Sequence, residues 1–191
     1  MSGITPTVII ALLSVIFFTL NIFLFYYHKE KKSYLGYWII GLSMYIVKYA
    51  LTLVKIYVPV SVLINLFEQT AYIAAVLLIY FGTCSFVGKR ISKVWIYLSI
   101  AVCLFIVFGS IVHYTYDTVN FPVGLLVTAI NLQAGILFLN FSFVKLVSPR
   151  VMGWLFIARG LNITVLYLLE HSRGLYATML AFGVILSFYQ I

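Results

Sequence analysis

Acidic residues are nearly missing from this chain: Asp and Glu number 4 among 191 residues, against 12 Lys and Arg, and charged residues make up only 8% of the whole. A water-soluble domain needs far more polar surface than that, so none fits beside the apolar segments. The carboxylates, Glu30, Glu68, Asp117 and Glu170, are widely separated, which argues against the clustered ligands of a metal site. Histidine is equally scarce. His28, His113 and His171 fall at the ends of apolar stretches, whereas a haem-carrying bundle needs its ligands inside them. Cys84 and Cys103 both lie within apolar stretches, where they read as small buried side chains and not as an extracellular disulfide framework. No serine elbow with a base and no aspartate pair is present for intramembrane proteolysis. The last apolar stretch has no lysine for a retinal Schiff base. These absences remove the familiar chemistries, and the chain is read as a non-enzyme that carries no cofactor. There is no Pro-rich, Ser-rich or low-complexity linker and no internal repeat.

What the chain does have is hydrophobicity, 64% of its residues, arranged in seven stretches: Ile4–Tyr27, Tyr34–Tyr57, Val60–Val87, Val94–His113, Phe121–Val147, Val151–Leu169 and Leu175–Ile191. A helix needs about 20 mostly apolar residues to cross a bilayer, and a helix satisfies its own backbone there. The pattern predicts an all-α polytopic bundle of seven transmembrane helices forming one domain over residues 1–191. The first stretch lacks a basic leading region and a small-residue cleavage site, so it reads as a retained helix and not as a signal peptide. The last is still apolar at Ile191, which predicts a fragment of a longer protein or docking onto a partner.

Basic residues set the expected orientation. The connections "HKEKKS" (His28–Ser33) and "GKRISK" (Gly88–Lys93) and the turn at Lys145 and Arg150 hold 8 of the 12 Lys and Arg. All three lie on one side, which the positive-inside rule makes cytoplasmic, with the N-terminus outside and the C-terminus inside. The formal charge of +8 is then a rim facing anionic headgroups of the cell membrane. It is scattered over short loops, which excludes nucleic acid as the partner.

A charge in the centre of a span costs on the order of 3 kcal/mol, so Lys48, Glu68 and Arg159 mark a candidate ligand-binding or gating site. Trp38, Gly41, Tyr45, Lys48, Thr52 and Lys55 recur at helical spacing on one face of the second helix. Ser61, Asn65, Glu68, Tyr72 and Ala75 do the same on the third. Counted from the start of each stretch, Lys48 and Glu68 reach similar depth, which predicts an ion pair between them. That pair serves either as neutralised packing or as part of a gate. The fifth helix adds Gly124, Thr128, Asn131, Gly135 and Ser142 with Gln133 nearby, and the sixth adds Arg159 and Asn162. Any one amide is ordinary interhelical glue. Their convergence predicts a small polar cavity.

The run from Phe23 to Leu53, "FLFYYHKEKKSYLGYWIIGLSMYIVKYALTL", resembles the start of the seven-helix sensor regions that precede histidine kinase or GGDEF diguanylate cyclase domains in bacteria. In those regions a span ends in aromatic residues, a short basic loop follows, and the next helix opens with Trp and Gly, here Trp38 and Gly41. The stretch "LIYFGTCSFVGKRISK", Leu78 to Lys93, is similar to their third helix and basic loop, with Gly82 and Phe86 in the corresponding places. The resemblance covers the first half of the chain. It implies a two-component-type signalling receptor of the bacterial inner membrane that works as a dimer, with a cytoplasmic effector in cis or in trans. The alternatives are a small solute or ion transporter, or an assembly subunit of a membrane complex. Against transport, Pro6, Pro59, Pro122 and Pro149 are all read as marking helix ends, with no paired helix breaks.

Overall fold

The computed structural model describes residues 4–58, 62–112, 116–141 and 149–168. These form six α-helices and no strand: α1 (Ile4–Glu30), α2 (Ser33–Tyr57), α3 (Val62–Val87), α4 (Lys93–Ile111), α5 (Tyr116–Leu139) and α6 (Pro149–Leu168). Five of them, α1 to α5, are long and apolar enough to cross a bilayer. The chain is an all-α protein built as a multi-pass membrane protein is built. The seventh stretch, 175–191, lies outside the described residues.

The connections at one end of the bundle are tight because the backbone allows it. α1 stops where Lys31 turns into the left-handed region at φ 50°, its N–H 2.8 Å from the carbonyl of Tyr27, and α2 begins two residues later. α3 ends in a Schellman motif. Gly88 takes φ 71°, Lys89 N–H bonds the Cys84 carbonyl at 2.8 Å, and Gly88 N–H reaches that of Ser85 at 3.4 Å.

Side-chain contacts fix how the helices are laid together. α1 runs antiparallel to α2, with Phe23 stacked on Trp38. α2 and α3 form an antiparallel hairpin, closed at one end by the Ser33 and Ser85 hydroxyls, 3.1 Å apart. Along this seam a Cβ on Gly41 would stand 3.1 Å from the Ala75 carbonyl, and one on Gly82 would overlap the Trp38 ring. Glycine at position 82 therefore makes room for the indole, whose Nε1 donates to the Ile79 carbonyl at 3.2 Å. α5 and α6 make a second antiparallel hairpin, held close because Gly135 and Gly153 face each other. α3 lies beside α5 with the two C-terminal ends together, Phe86 against Phe138 and Phe141. α4 packs on α3 and α5. The buried core runs between the hairpins through Tyr80, Cys84, Val123, Val127, Ile130 and Phe138. Lys29, Lys31, Lys32, Lys89, Arg90, Lys93 and Arg150 consequently gather at one end, called here the basic end.

The fifth helix departs from the sequence expectation at both boundaries. It starts at Tyr116, not Phe121, so Pro122 sits inside it. The polar run before Phe121 reads as a loop in the sequence, but Pro122 is the seventh residue of the helix, where it leaves the carbonyl four residues back without its usual N–H partner, a break that membrane helices accommodate. At the other end α5 stops at Leu139 and not at Val147, with Asn140 in a turn; asparagine is a common residue just past a helix end.

Candidate functional site

The polar faces of α2 and α3 meet each other, but not through the pair that depth had indicated. Glu68 is buried, and its carboxylate binds Lys55 and not Lys48: Lys55 Nζ lies 2.6 Å from Oε2. Lys55 Nζ also donates to Asn65 Oδ1 at 3.3 Å. The Thr52 hydroxyl is 2.6 Å from Glu68 Oε1 and 3.0 Å from the Lys48 carbonyl, one proton between two acceptors. The correction is one of geometry. In an antiparallel hairpin, depth is measured from the shared turn, and Glu68 is six residues past the start of α3 whereas Lys48 is nine before the end of α2. That mismatch is roughly 4.5 Å of rise. Thr52 stands level with the carboxylate, and Lys55 reaches back to it along its flexible stem.

Lys48 instead enters an aromatic cluster. Its Nζ lies 4.1 Å from the centre of the Tyr49 ring and 5.4 Å from that of Tyr72. It makes no ion pair among the described residues. Tyr45, 2% exposed, is in ring contact with both of these tyrosines, at 6.2 and 5.9 Å. The Arg159 guanidinium, from α6, sits 4.9 Å from the Tyr45 ring centre. Two cations from different helices thus share three tyrosines. Ring faces attract a cation by up to about 2 kcal/mol when desolvated, but they do not neutralise it.

Beside this cluster is a cavity of about 110 Å³ between α1, α2 and α6, floored by Ile79 of α3 and Phe138 of α5. One end is polar, with Arg159, Tyr45 and Tyr49; the rest is apolar, including Leu12, Ile16 and Phe156. Thr19 also lines it, but its hydroxyl donates to the Val15 carbonyl of its own helix at 2.8 Å. Among the described residues α1 lies against α2, and α6 lies against α5 with Arg159 reaching the Tyr45 ring of α2. Both α1 and α6 contribute to the cavity wall.

Of the residues that sequence placed at a site, Tyr45, Lys48, Tyr72 and Arg159 come together in the aromatic cluster, and Asn65 and Glu68 in the ion-pair cluster. Asn131 is buried on α5 against Gly160 of α6: its Nδ2 donates to the Val127 carbonyl at 2.7 Å, and it lines a small space of about 10 Å³ with Tyr45 and Arg159. Asn162 is buried, and its Oδ1 has no hydrogen-bond partner among the described residues. On α5, Thr128 donates to the Gly160 carbonyl at 3.1 Å, as interhelical glue does. Ser61 and Ser142 lie outside the described residues. Sequence reasoning missed Tyr49 and the part played by Lys55. Lys55 was legible, being seven residues after Lys48 on the same face. Tyr49 was not, because it falls one residue off the polar stripe and enters through its spacing of four from Tyr45. No group of three or more His, Cys, Asp or Glu side chains comes together among the described residues. No protein-family model, curated protein or solved structure matches this chain.

Proposed function

We propose that the bundle is a sensory input module of a cell membrane. In this reading it spans the bilayer seven times with the N-terminus outside, works as a dimer, and relays the state of its cavity to a cytoplasmic effector of histidine kinase or diguanylate cyclase type, in cis or in trans. The observation that carries the reading is the pair of cations, Lys48 and Arg159, around one tyrosine cluster at the edge of a cavity, on helices that run unbroken through that depth. Carriers of many folds build their midplane sites from discontinuous helices, whose half-helix ends meet the substrate. Here α2 and α6 present side chains only. A signal acts through differential affinity for two bundle states, and cations held by ring faces have partners to exchange when an anion arrives. The resemblance of Phe23–Leu53 and Leu78–Lys93 to sensor regions supports the same reading.

The test is a fusion of the full chain to a reporter kinase through its C-terminus. Arg159→Gln and Lys48→Gln are expected to change basal or stimulated output at least threefold. Unchanged output, with solute uptake by the purified protein in proteoliposomes, would favour a carrier instead.

A further inference from the structure

The cavity is small and its wall is unevenly polar, and the two together limit what can occupy it. An engineered cavity of about 150 Å³ walled by Leu, Ile and Phe stays dry and holds benzene, a molecule of six heavy atoms. At the same filling, the space here, about 110 Å³, takes roughly four heavy atoms. Filling it with water would need roughly three or four molecules, each with about two to four polar partners. The wall does not supply them. Tyr45, Tyr49 and Arg159 lie at one end; elsewhere the Thr19 hydroxyl is spent on the Val15 carbonyl and the Trp38 N–H on that of Ile79. The rest of the lining, Leu42, Phe138 and Phe156 among it, is apolar. A charged ligand fits such a wall badly, because most of its hydration would be exchanged for hydrocarbon. A neutral molecule with one polar group gives up far less.

We propose that this cavity binds a short-chain alcohol, a neutral molecule of about four heavy atoms, with its hydroxyl at the end formed by Tyr45, Tyr49 and Arg159 and its carbons against Leu42, Phe156 and Trp38. A hydroxyl both accepts and donates, so it suits an end that combines tyrosine hydroxyls with guanidinium N–H groups. Binding asks for no free charge on Arg159, whose guanidinium keeps its place over the Tyr45 ring. This goes beyond the sensory reading, which concerns the cations at the edge of the cavity, and it is measured on the chain with no effector attached.

Trp38 lines the cavity and serves as the probe. In the full chain with Trp95→Phe and Trp154→Phe, it is the one indole left of the three tryptophans. The protein is placed in nanodiscs and titrated with 2-bromoethanol, 4-bromobutanol and 6-bromohexanol, whose bromine quenches a neighbouring indole. Partition into lipid strengthens about fourfold with each methylene, so quenching through lipid alone would rise steadily along the series. Occupation of the cavity reverses that order. 2-Bromoethanol is expected to quench saturably and to be displaced by propan-1-ol, whereas 6-bromohexanol should show only linear quenching that does not saturate. Leu42→Phe, which fills part of the space, should weaken 2-bromoethanol at least tenfold. Tyr45→Phe combined with Tyr49→Phe should raise its half-point at least threefold, while bromoethane, which has no hydroxyl, changes less than twofold. Quenching that grows with chain length and never saturates would overturn the proposal. So would saturable binding unchanged in a folded Leu42→Phe protein, which would put the alcohol elsewhere. Bromoacetate, of similar size but anionic, binding at least tenfold tighter than 2-bromoethanol would make the cavity an anion site and would also overturn it. The same size order is expected in the unsubstituted chain, where only the Trp38 share of the emission responds saturably, so the test survives a replacement that does not fold.

Discussion

Glu68 and Lys55 form a buried ion pair, and its energetics follow from burial. The carboxylate is 5% exposed at its side chain and the ammonium 10%, so removing either partner strands a charge. Lys55→Met and Glu68→Gln are each expected to destabilise the bundle by about 3–5 kcal/mol, and the double change by clearly less than their sum. Unfolding in mixed detergent micelles measures all three. Lys48→Met is the control: with no carboxylate to strand, it should cost at most about 1 kcal/mol through its ring contacts. A loss for Lys48→Met as large as that for Lys55→Met would restore the pairing that depth had indicated. The polar faces themselves were legible in the sequence, because spacing of three and four is enough to define a face. Partner choice along those faces was not, since it depends on where the hairpin turns and on how far a flexible lysine reaches back.

Helices in this bundle approach through glycine, and their ends are shaped by backbone conformations that side chains resist. A Cβ on Gly135 would stand 2.7 Å from the Gly153 carbonyl oxygen, a backbone atom that yields only if α5 and α6 separate. Gly135→Ala is therefore expected to destabilise by about 1–3 kcal/mol, read in the same unfolding assay. At the α1–α2 turn the sign reverses. Lys31 holds φ 50° with a full side chain, a strain of about 1–2 kcal/mol that glycine would relieve. Lys31→Gly should raise stability by up to about 1 kcal/mol after its own entropy cost, whereas Lys31→Val should lower it. Helix existence and most boundaries were legible from apolar run length. The start of α5 differs because proline reads as a start signal, whereas membrane helices accommodate it in their interior. The packing of α3 on α5 left no signal a single sequence could show, because it is set by contacts between residues far apart in the chain.

Charge asymmetry governs how the whole molecule sits in a membrane. Seven basic residues of the described chain, from Lys29 to Arg150, gather at one end, and anionic cytoplasmic lipid attracts each by about 1 kcal/mol near the surface. With the native cysteines replaced, single cysteines at Ser33 and Ser92 should be labelled by a membrane-impermeant maleimide only after the cells are opened. Labelling of both in intact cells would reverse the orientation. The class of the protein was plain from composition, and the converging polar residues pointed to a cavity, but its mostly apolar lining and the share α1 takes in it were not legible, because they depend on contacts between residues far apart in the chain. Relative motion of the helices around that cavity is what a sensor of this design requires. Spin labels at Phe18 of α1 and Trp154 of α6, exposed at 67% and 63% among the described residues, report it as a distance distribution in nanodiscs. Arg159→Gln, which removes the α6 cation from the tyrosine cluster, should shift the mean or change the width of the distribution. An identical distribution in the parent chain and in Arg159→Gln, both shown to be folded, would contradict a bundle that signals by moving α1 against α6.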